Sequence, residues 1–227
     1  MKLINTEVRI ETTNRCNAAC VICPREKMTR KKTTMGMGHF KSLVDQCKDL
    51  GAETISVFGY GEPLTDKTLV EKVAYCSEKG LKTFITTNAS LLNTIPAYGL
   101  LKAGLSHIRF SVHGTFDNYE KVHRGLVFTD VLRNIGNFIQ ANKTRFDHSC
   151  RVDVSVIPMT SDTATQIAHP LLIMESVMPI TSAADIRIDR IRLIKASVIP
   201  TISVAIRLDH ILRNAASVIP ITSAVAT

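Results

Sequence analysis

Polar and apolar residues alternate along residues 7–12, and four later segments are short runs rich in apolar and β-branched residues; both patterns predict strands. The predicted strands cover residues 7–12, 54–58, 81–87, 107–112 and 152–157. Between them, apolar residues recur every three or four positions, which predicts amphipathic helices. A strand followed by a helix, repeated with short connections, is typical of right-handed parallel βαβ units.

Glycine, proline and capping residues mark where the predicted helices begin and end. We expect helices at residues 40–50, from near Asp66 to Gly80, over a stretch interrupted by Pro96 and closed by Gly104, from Asp117 to His123, and onward from Thr129 or Asp130. These units predict an α/β fold, a partial (βα)6 TIM-like barrel with parallel strands. Residues 186–194 could pair as its sixth strand, but we expect the barrel to be incomplete or irregular after strand five.

The chain changes character near residue 160. Residues 161–227 contain no Gly, Cys, Phe, Tyr or Trp. A phrase of the form Ser-Val-Ile-Pro or Ser-Val-Met-Pro begins at Ser155, Ser176, Ser197 and Ser217. A solenoid would explain the repeat; a degenerate or artificial replacement of the last barrel elements would also explain the missing turn residues. We therefore expect a core, residues 1–160, and a repetitive, degenerate C-terminal segment, residues 161–227.

Three cysteines follow the first predicted strand at the spacing C-x3-C-x2-C: Cys16, Cys20 and Cys23. On one short loop their sulfurs can turn toward a common point, as a thiolate-bound metal centre requires. Closed zinc sites and ordinary iron-sulfur clusters take four protein ligands, so three cysteines suggest a centre with one open position. A zinc site that takes its fourth ligand from His39 or Cys47 is the alternative.

The cysteine spacing resembles that of the radical S-adenosylmethionine (radical SAM) enzymes. In that family, three thiolates hold a four-iron four-sulfur (4Fe-4S) cluster, and S-adenosylmethionine chelates the fourth iron. The segment Gly59-Tyr60-Gly61-Glu62-Pro63 is similar to the family's Gly-Gly-Glu-Pro motif, which binds the amino group of S-adenosylmethionine. A carboxylate and strand-end carbonyls are suitable acceptors for an ammonium group. Tyr60 departs from the glycine usual at its position.

Four more residues match positions that contact the cofactor in this family. Asn88, in Thr-Asn-Ala, is similar to the Thr-Asn-Gly of strand three. Ser111 stands where a polar residue of strand four contacts the ribose or carboxylate of S-adenosylmethionine, and Arg124 resembles an arginine that pairs with that carboxylate. Ile22 replaces an often aromatic residue near the adenine. The resemblance covers residues 5–160.

The resemblance implies reductive cleavage of S-adenosylmethionine to a 5′-deoxyadenosyl radical, which abstracts a hydrogen atom from a substrate. An external electron donor such as a flavodoxin or ferredoxin is then required. The stretch after Cys23 looks most like the SPASM-type subgroup, but no cysteine follows Cys150, so peptide modification is not assigned and the substrate, peptide or small molecule, is unknown. A non-catalytic metal-binding or fold-relic protein is the alternative.

Composition narrows the remaining function classes. Hydrophobic residues make up 45% of the chain and charged residues 21%, an ordinary soluble balance. No apolar run is long enough to span a bilayer and no signal peptide is evident, so we expect a cytoplasmic protein. The net charge is +8, with a basic run at residues 25–32 that we interpret as a solvated loop. Because no aromatic residues interleave with that run, nucleic acid is not an expected partner.

Overall fold

A computed structural model describes residues 5–114, 116–156 and 191–193 of the chain. Its strands form one six-stranded sheet in the order β1 to β6, and every neighbouring pair is parallel. The strands are β1 (Glu7–Arg9), β2 (Thr54–Ser56), β3 (Lys82–Thr87), β4 (His107–Ser111), β5 (Arg151–Val156) and β6 (Ile191–Leu193). The helices are α1 (Met37–Asp49), α2 (Leu69–Glu78), α3 (Thr94–Lys102), α4 (Phe116–Val122) and α5 (Phe128–Phe146).

This architecture confirms the expected α/β fold with parallel strands. Strand order follows chain order, as in a barrel wall, and β1 and β6 are the two edges of the described sheet. The predicted sixth strand forms over Ile191–Leu193, where it pairs with β5. The Ser-Val-Ile-Pro repeats, apart from Ser155 and Val156, lie outside the described residues. In the described part of the chain no helix has the length and apolar character needed to cross a membrane.

One helix prediction was wrong. The stretch around Pro96 was expected to be broken, yet α3 runs without interruption from Thr94 to Lys102. Pro96 lies in the first turn, where the missing N–H would have no intrahelical partner and the fixed backbone angle suits a helix. The side chain of Asn93 caps this end by accepting a hydrogen bond from Ile95 N.

The first strand is shorter than predicted because the chain leaves the sheet early. Ile10 N still donates to Ser56 O of the neighbouring strand at 2.9 Å. Beyond it, Thr12 O accepts from Met35 N at 2.7 Å and Thr13 forms an isolated antiparallel bridge with Thr34. The segment that precedes the cysteines is therefore held by the segment that follows them, which closes the cysteine loop at its base.

The helices cover the outer face of the sheet and form the apolar core with it. Buried strand residues such as Ile55, Ile85 and Phe110 belong to the same cluster as Val44 and Phe138 from the helices. The inner face is polar instead and borders a cavity of about 610 Å³. Because all strands are parallel, their carboxyl ends meet along one rim, where barrels of this kind carry their working residues.

Candidate cofactor site

Two loops meet at the carboxyl rim of β1 and β2. The cysteine loop, defined as residues 16–23, follows β1, and the glycine turn, defined as residues 59–63, follows β2. Glu62 N donates a hydrogen bond to Arg15 O at 2.8 Å, directly before the first cysteine. At Gly61 a Cβ atom would lie 2.2 Å from Thr13 O and 2.7 Å from Arg15 O, so only glycine allows this approach.

All three cysteines of the loop are free thiols of intermediate exposure. Cys23 N donates to Cys20 O at 3.0 Å, and Ala18 N donates to Cys16 Sγ at 3.5 Å. Burial raises the pKa of Cys16, and burial followed by the charges of Cys16 and Cys23 raises the pKa of Cys20 to about 11. Without a compensating cation the thiols of Cys16 and Cys20 therefore stay protonated near neutral pH.

The described residues contain no group of three or more His, Cys, Asp or Glu side chains that could hold a single metal ion. The predicted zinc alternative needs such a group, with His39 or Cys47 as the fourth member. Both residues lie instead within α1, where Cys47 packs against the core as an apolar side chain. A cluster spreads its thiolates around several irons, so a loop of three free thiols remains a chemically suitable donor set for it.

Glu62 is the buried carboxylate of this rim, with 3% of its surface exposed. Its Oε1 accepts hydrogen bonds from Thr87 Oγ1 at 2.6 Å and from Leu64 N at 3.1 Å. Its Oε2 accepts from Asn88 N at 2.8 Å. Burial raises the pKa of Glu62 to about 7, while these three donors lower it. The carboxylate is thus fixed in place, and an added cation would favour its ionised form.

Asn88 connects the end of β3 to the cysteine loop. Its Nδ2 donates to Asn17 Oδ1 at 3.2 Å, and its Oδ1 accepts from Ser90 N at 2.9 Å. Asn17 in turn donates from Nδ2 to Ser90 Oγ at 2.8 Å. This amide network joins the end of β3 to the cysteine loop. The hydrogen bond from Glu62 N to Arg15 O joins the end of β2 to the residue before that loop. The sequence predicted Asn88 as a cofactor contact and Asn17 only as a residue that helps to close the mouth of the site; the structure joins the two side chains directly.

The segment after α4 forms the other wall of the cysteine loop. Ala19 N donates to Arg124 O and Val21 N donates to Val122 O, each at 3.0 Å. His123 lies between those two acceptors, and its Nδ1 is 3.3 Å from Cys20 Sγ. Burial lowers the pKa of His123 to about 3, so the ring is neutral. Sequence analysis placed His123 only as the end of a short helix.

The basic run after the cysteines also differs from its interpretation as a solvated loop. Arg25 is buried, with 7% of its surface exposed, and its Nη2 donates to Ala18 O at 2.8 Å. The positive charge of Arg25 acts to lower the pKa of Cys16 and Cys20. Lys27, Arg30, Lys31 and Lys32 are exposed as expected.

The remaining predicted residues border this rim or lie at the ends of its strands. Ser111 ends β4, is half-buried and stands beside Ser155 of β5. Tyr60 in the glycine turn is 50% exposed and Ile22 in the cysteine loop is 37% exposed, so each loop presents apolar surface. Gly59 stands against Glu11, whose Oε1 accepts from Tyr60 N at 2.8 Å.

Comparison with known proteins identifies relatives that fit this arrangement. The family model for the Radical SAM superfamily matches residues 10–159. The Fe-coproporphyrin III synthase of Methanosarcina barkeri is 34% identical over 128 residues, which cover 55% of this chain and 32% of that protein. The GTP 3′,8-cyclase of Desulforamulus reducens is 33% identical over 135 residues, or 56% of this chain and 41% of that protein. A PqqA peptide cyclase from Rhodopseudomonas palustris is 31% identical over 109 residues, or 48% and 29% respectively.

The matched part of the chain therefore spans between 29% and 41% of the length of these relatives. Among solved structures, Streptococcus suis SuiB bound to S-adenosylmethionine shares the fold with a TM-score of 0.65 at 18% identity. That match covers 93% of this chain and 47% of SuiB.

Proposed function

Because the chain belongs to the radical SAM superfamily, we propose that its cysteine loop holds a 4Fe-4S cluster and that the glycine turn binds S-adenosylmethionine. The three ligands would be Cys16, Cys20 and Cys23. The observation that carries the proposal is the 2.8 Å hydrogen bond from Glu62 N to Arg15 O, which ties the residue with the buried carboxyl group to the backbone directly before Cys16. When bound, cluster and cofactor together supply an electron and a 5′-deoxyadenosyl radical for hydrogen abstraction.

Glu62 is proposed to accept the amino group of S-adenosylmethionine. Its three hydrogen bonds hold both carboxylate oxygens still, and Oε2 carries only one of them, from Asn88 N. A carboxylate offers about four acceptor positions, so room remains for an ammonium donor.

The rim residues would then position the rest of the cofactor. The Ser111 hydroxyl at the end of β4 is suited to a ribose or carboxylate oxygen. Arg124 lies beyond the cysteine loop, with an exposed side chain whose fork suits the cofactor carboxylate. Tyr60 and Ile22, half-exposed beside the loops, supply apolar surface for the adenine. Each of these contacts is inferred from the family motif together with the residue's place at the rim.

The electron donor is proposed to be a small external redox protein such as a flavodoxin or ferredoxin. Exposed cations follow the cysteine loop directly, at Lys27 and Arg30–Lys32, and the chain carries a net charge of +8. Such a surface attracts a negatively charged donor to the edge of the cluster. Cytoplasmic location and the absence of nucleic acid as a partner remain part of the proposal.

The substrate class is left as a peptide or a small molecule. The relatives' names include a porphyrin synthase, a nucleotide cyclase and a peptide cyclase, so family membership alone does not select among them. A non-catalytic metal-binding or fold-relic protein is the competing function, and it predicts metal without cofactor cleavage.

Anaerobic reconstitution with iron and sulfide tests the proposal on the full chain. We expect an iron-sulfur absorbance that is lost in C16A, C20A and C23A, together with reductant-dependent release of 5′-deoxyadenosine from S-adenosylmethionine. C47A is the matched control, because Cys47 is a half-buried thiol on α1 outside the loop, and it should retain both signals. Zinc content without 5′-deoxyadenosine, or full activity in C16A, would contradict the proposal.

A further inference from the structure

The side chains of Cys20 and His123 face each other between two flanking backbone hydrogen bonds. Ala19 N to Arg124 O and Val21 N to Val122 O bracket the pair, so both backbones are held on either side of it. The contact between Cys20 Sγ and His123 Nδ1 is 3.3 Å, within the range of a hydrogen bond to sulfur. Among the residues that the structure describes, Cys20 is the one cysteine of the loop with such a backbone hydrogen bond from the residue on each side of it.

The second ring nitrogen of His123 fixes where the proton sits. His113 N donates a backbone hydrogen bond to His123 Nε2 at 3.1 Å. An atom that accepts a backbone N–H carries no proton of its own, so the single proton of the neutral imidazole is on Nδ1. Nδ1 faces the sulfur, and His123 is therefore the donor and Cys20 Sγ the acceptor.

Packing fixes the orientation of the His123 ring and excludes water from its Nδ1–H group. His123 is 2% exposed, so water does not compete for Nδ1. The Tyr119 ring stacks on His123 with centroids 4.5 Å apart, and the His113 ring stacks at 5.2 Å. A ring that stacks on two others cannot turn away from the sulfur without disturbing both contacts. Its hydrogen bond is thus prearranged before any metal is bound.

We propose that His123 is a positioning residue whose Nδ1–H donates to the Cys20 thiolate and raises the reduction potential of the cluster held there. This inference rests on the proposed function, since it needs Cys20 to be a cluster ligand. A hydrogen bond withdraws electron density from the thiolate and favours the reduced cluster, which carries one more negative charge. Outer-shell donors of this kind tune metal centres throughout proteins.

The test compares midpoint potentials of reconstituted full-length variants by redox titration followed with electron paramagnetic resonance. H123F keeps a flat ring of similar size for stacking but removes the donor, so its potential should fall. A decrease of about tenfold in the equilibrium constant for reduction lowers the midpoint potential of a one-electron couple by about 59 mV. H123N places an amide N–H where Nδ1 stood and should restore most of the shift.

Y119F is the matched control, because the buried Tyr119 hydroxyl has no hydrogen-bond partner in the described structure and its ring also stacks on His123. Its potential should equal that of the unaltered protein. An unchanged potential in H123F, or a fall that H123N fails to reverse, overturns the inference even where the cluster itself forms. Failure of every protein to take up iron would instead count against the proposed function.

If no variant takes up iron, a measurement on the metal-free protein still tests the hydrogen bond between His123 and Cys20. Nitrogen-15 spectra of histidine-labelled protein, assigned with H123N, should show His123 protonated at Nδ1 and unprotonated at Nε2. The opposite tautomer would leave Nδ1 unable to donate and would overturn the inference.

Discussion

Glu62 is the residue on which burial and hydrogen bonding act in opposite directions. Burial raises the pKa of its carboxyl to about 7, although Thr87, Leu64 and Asn88 all donate to its oxygens. An ammonium ligand would add a fourth favourable contact to the ionised form only. Binding of S-adenosylmethionine should therefore depend on pH near neutrality.

The sign of that dependence follows from the raised pKa. Below about pH 7 a proton must leave the carboxyl group before the ammonium binds, so affinity falls by up to about tenfold for each pH unit of acidification. Anaerobic titration calorimetry from about pH 5.5 to about pH 7.5, where an α-amino group is still protonated, measures this fall. E62Q should bind at least about tenfold more weakly at the upper end and lose the slope.

E53Q is the control for that experiment, because Glu53 is exposed and precedes β2, at the opposite end of the strand. It should bind as the unaltered protein does at every pH. A slope that survives in E62Q would show that another group accepts the amino end of the cofactor.

At the scale of elements, a buried ion pair links Lys72 of α2 to Asp66 in the segment before that helix, and Lys72 also reaches the segment before α1. Lys72 Nζ lies 2.5 Å from Asp66 Oδ2, with side-chain exposures of 0% and 1%. Lys72 Nζ also donates to Met35 O at 2.6 Å, and Met35 N bonds to Thr12 O. The pair therefore anchors the strip that closes the base of the cysteine loop.

Breaking this pair from one side should be costly. D66N or K72M leaves the other partner buried without its counter-charge, which typically costs about 3 to 5 kcal/mol in the free energy of unfolding. The double variant should cost less than the sum of the single ones, because neither charge is then left alone. Urea unfolding followed by circular dichroism measures both.

Arg133 and Asp130 supply the matched control on α5. Their side chains meet at 2.6 Å but are 63% and 51% exposed, so R133M should change stability by less than about 1 kcal/mol. Equal decreases in the free energy of unfolding for R133M and K72M would mean that the buried Lys72 pair contributes no more to stability than the exposed pair.

At the scale of the whole molecule, the sequence predicted the order and type of nearly every described element. Alternation is a local signal, and β4 (His107–Ser111) follows it: Ile108 and Phe110 are buried and the residues on either side of them are half-buried. The errors lie where tertiary contacts override a local rule. Pro96 was expected to break α3 but stands in its first turn, and β1 ends early because Thr12 and Thr13 pair with residues after the cysteines.

The candidate site was predictable only as far as its motifs. The cysteine loop and the glycine turn were each visible as short patterns, and parallel topology indicated that they would share a rim. His123 and Arg25 were missed because their roles depend on contacts with no periodic signal. His123 meets a cysteine 103 positions away, and Arg25 turns inward from a run that is otherwise exposed.

The whole account depends on the cysteine loop and the glycine turn facing one shared cofactor. The most direct measurement is electron-nuclear double resonance on the reduced, reconstituted protein with S-adenosylmethionine labelled with nitrogen-15 at its amino group. The account predicts a hyperfine coupling between that nitrogen and the cluster, weakened or lost in E62Q and kept in E53Q. A well-formed cluster that shows no coupling to the label at saturating cofactor would contradict it.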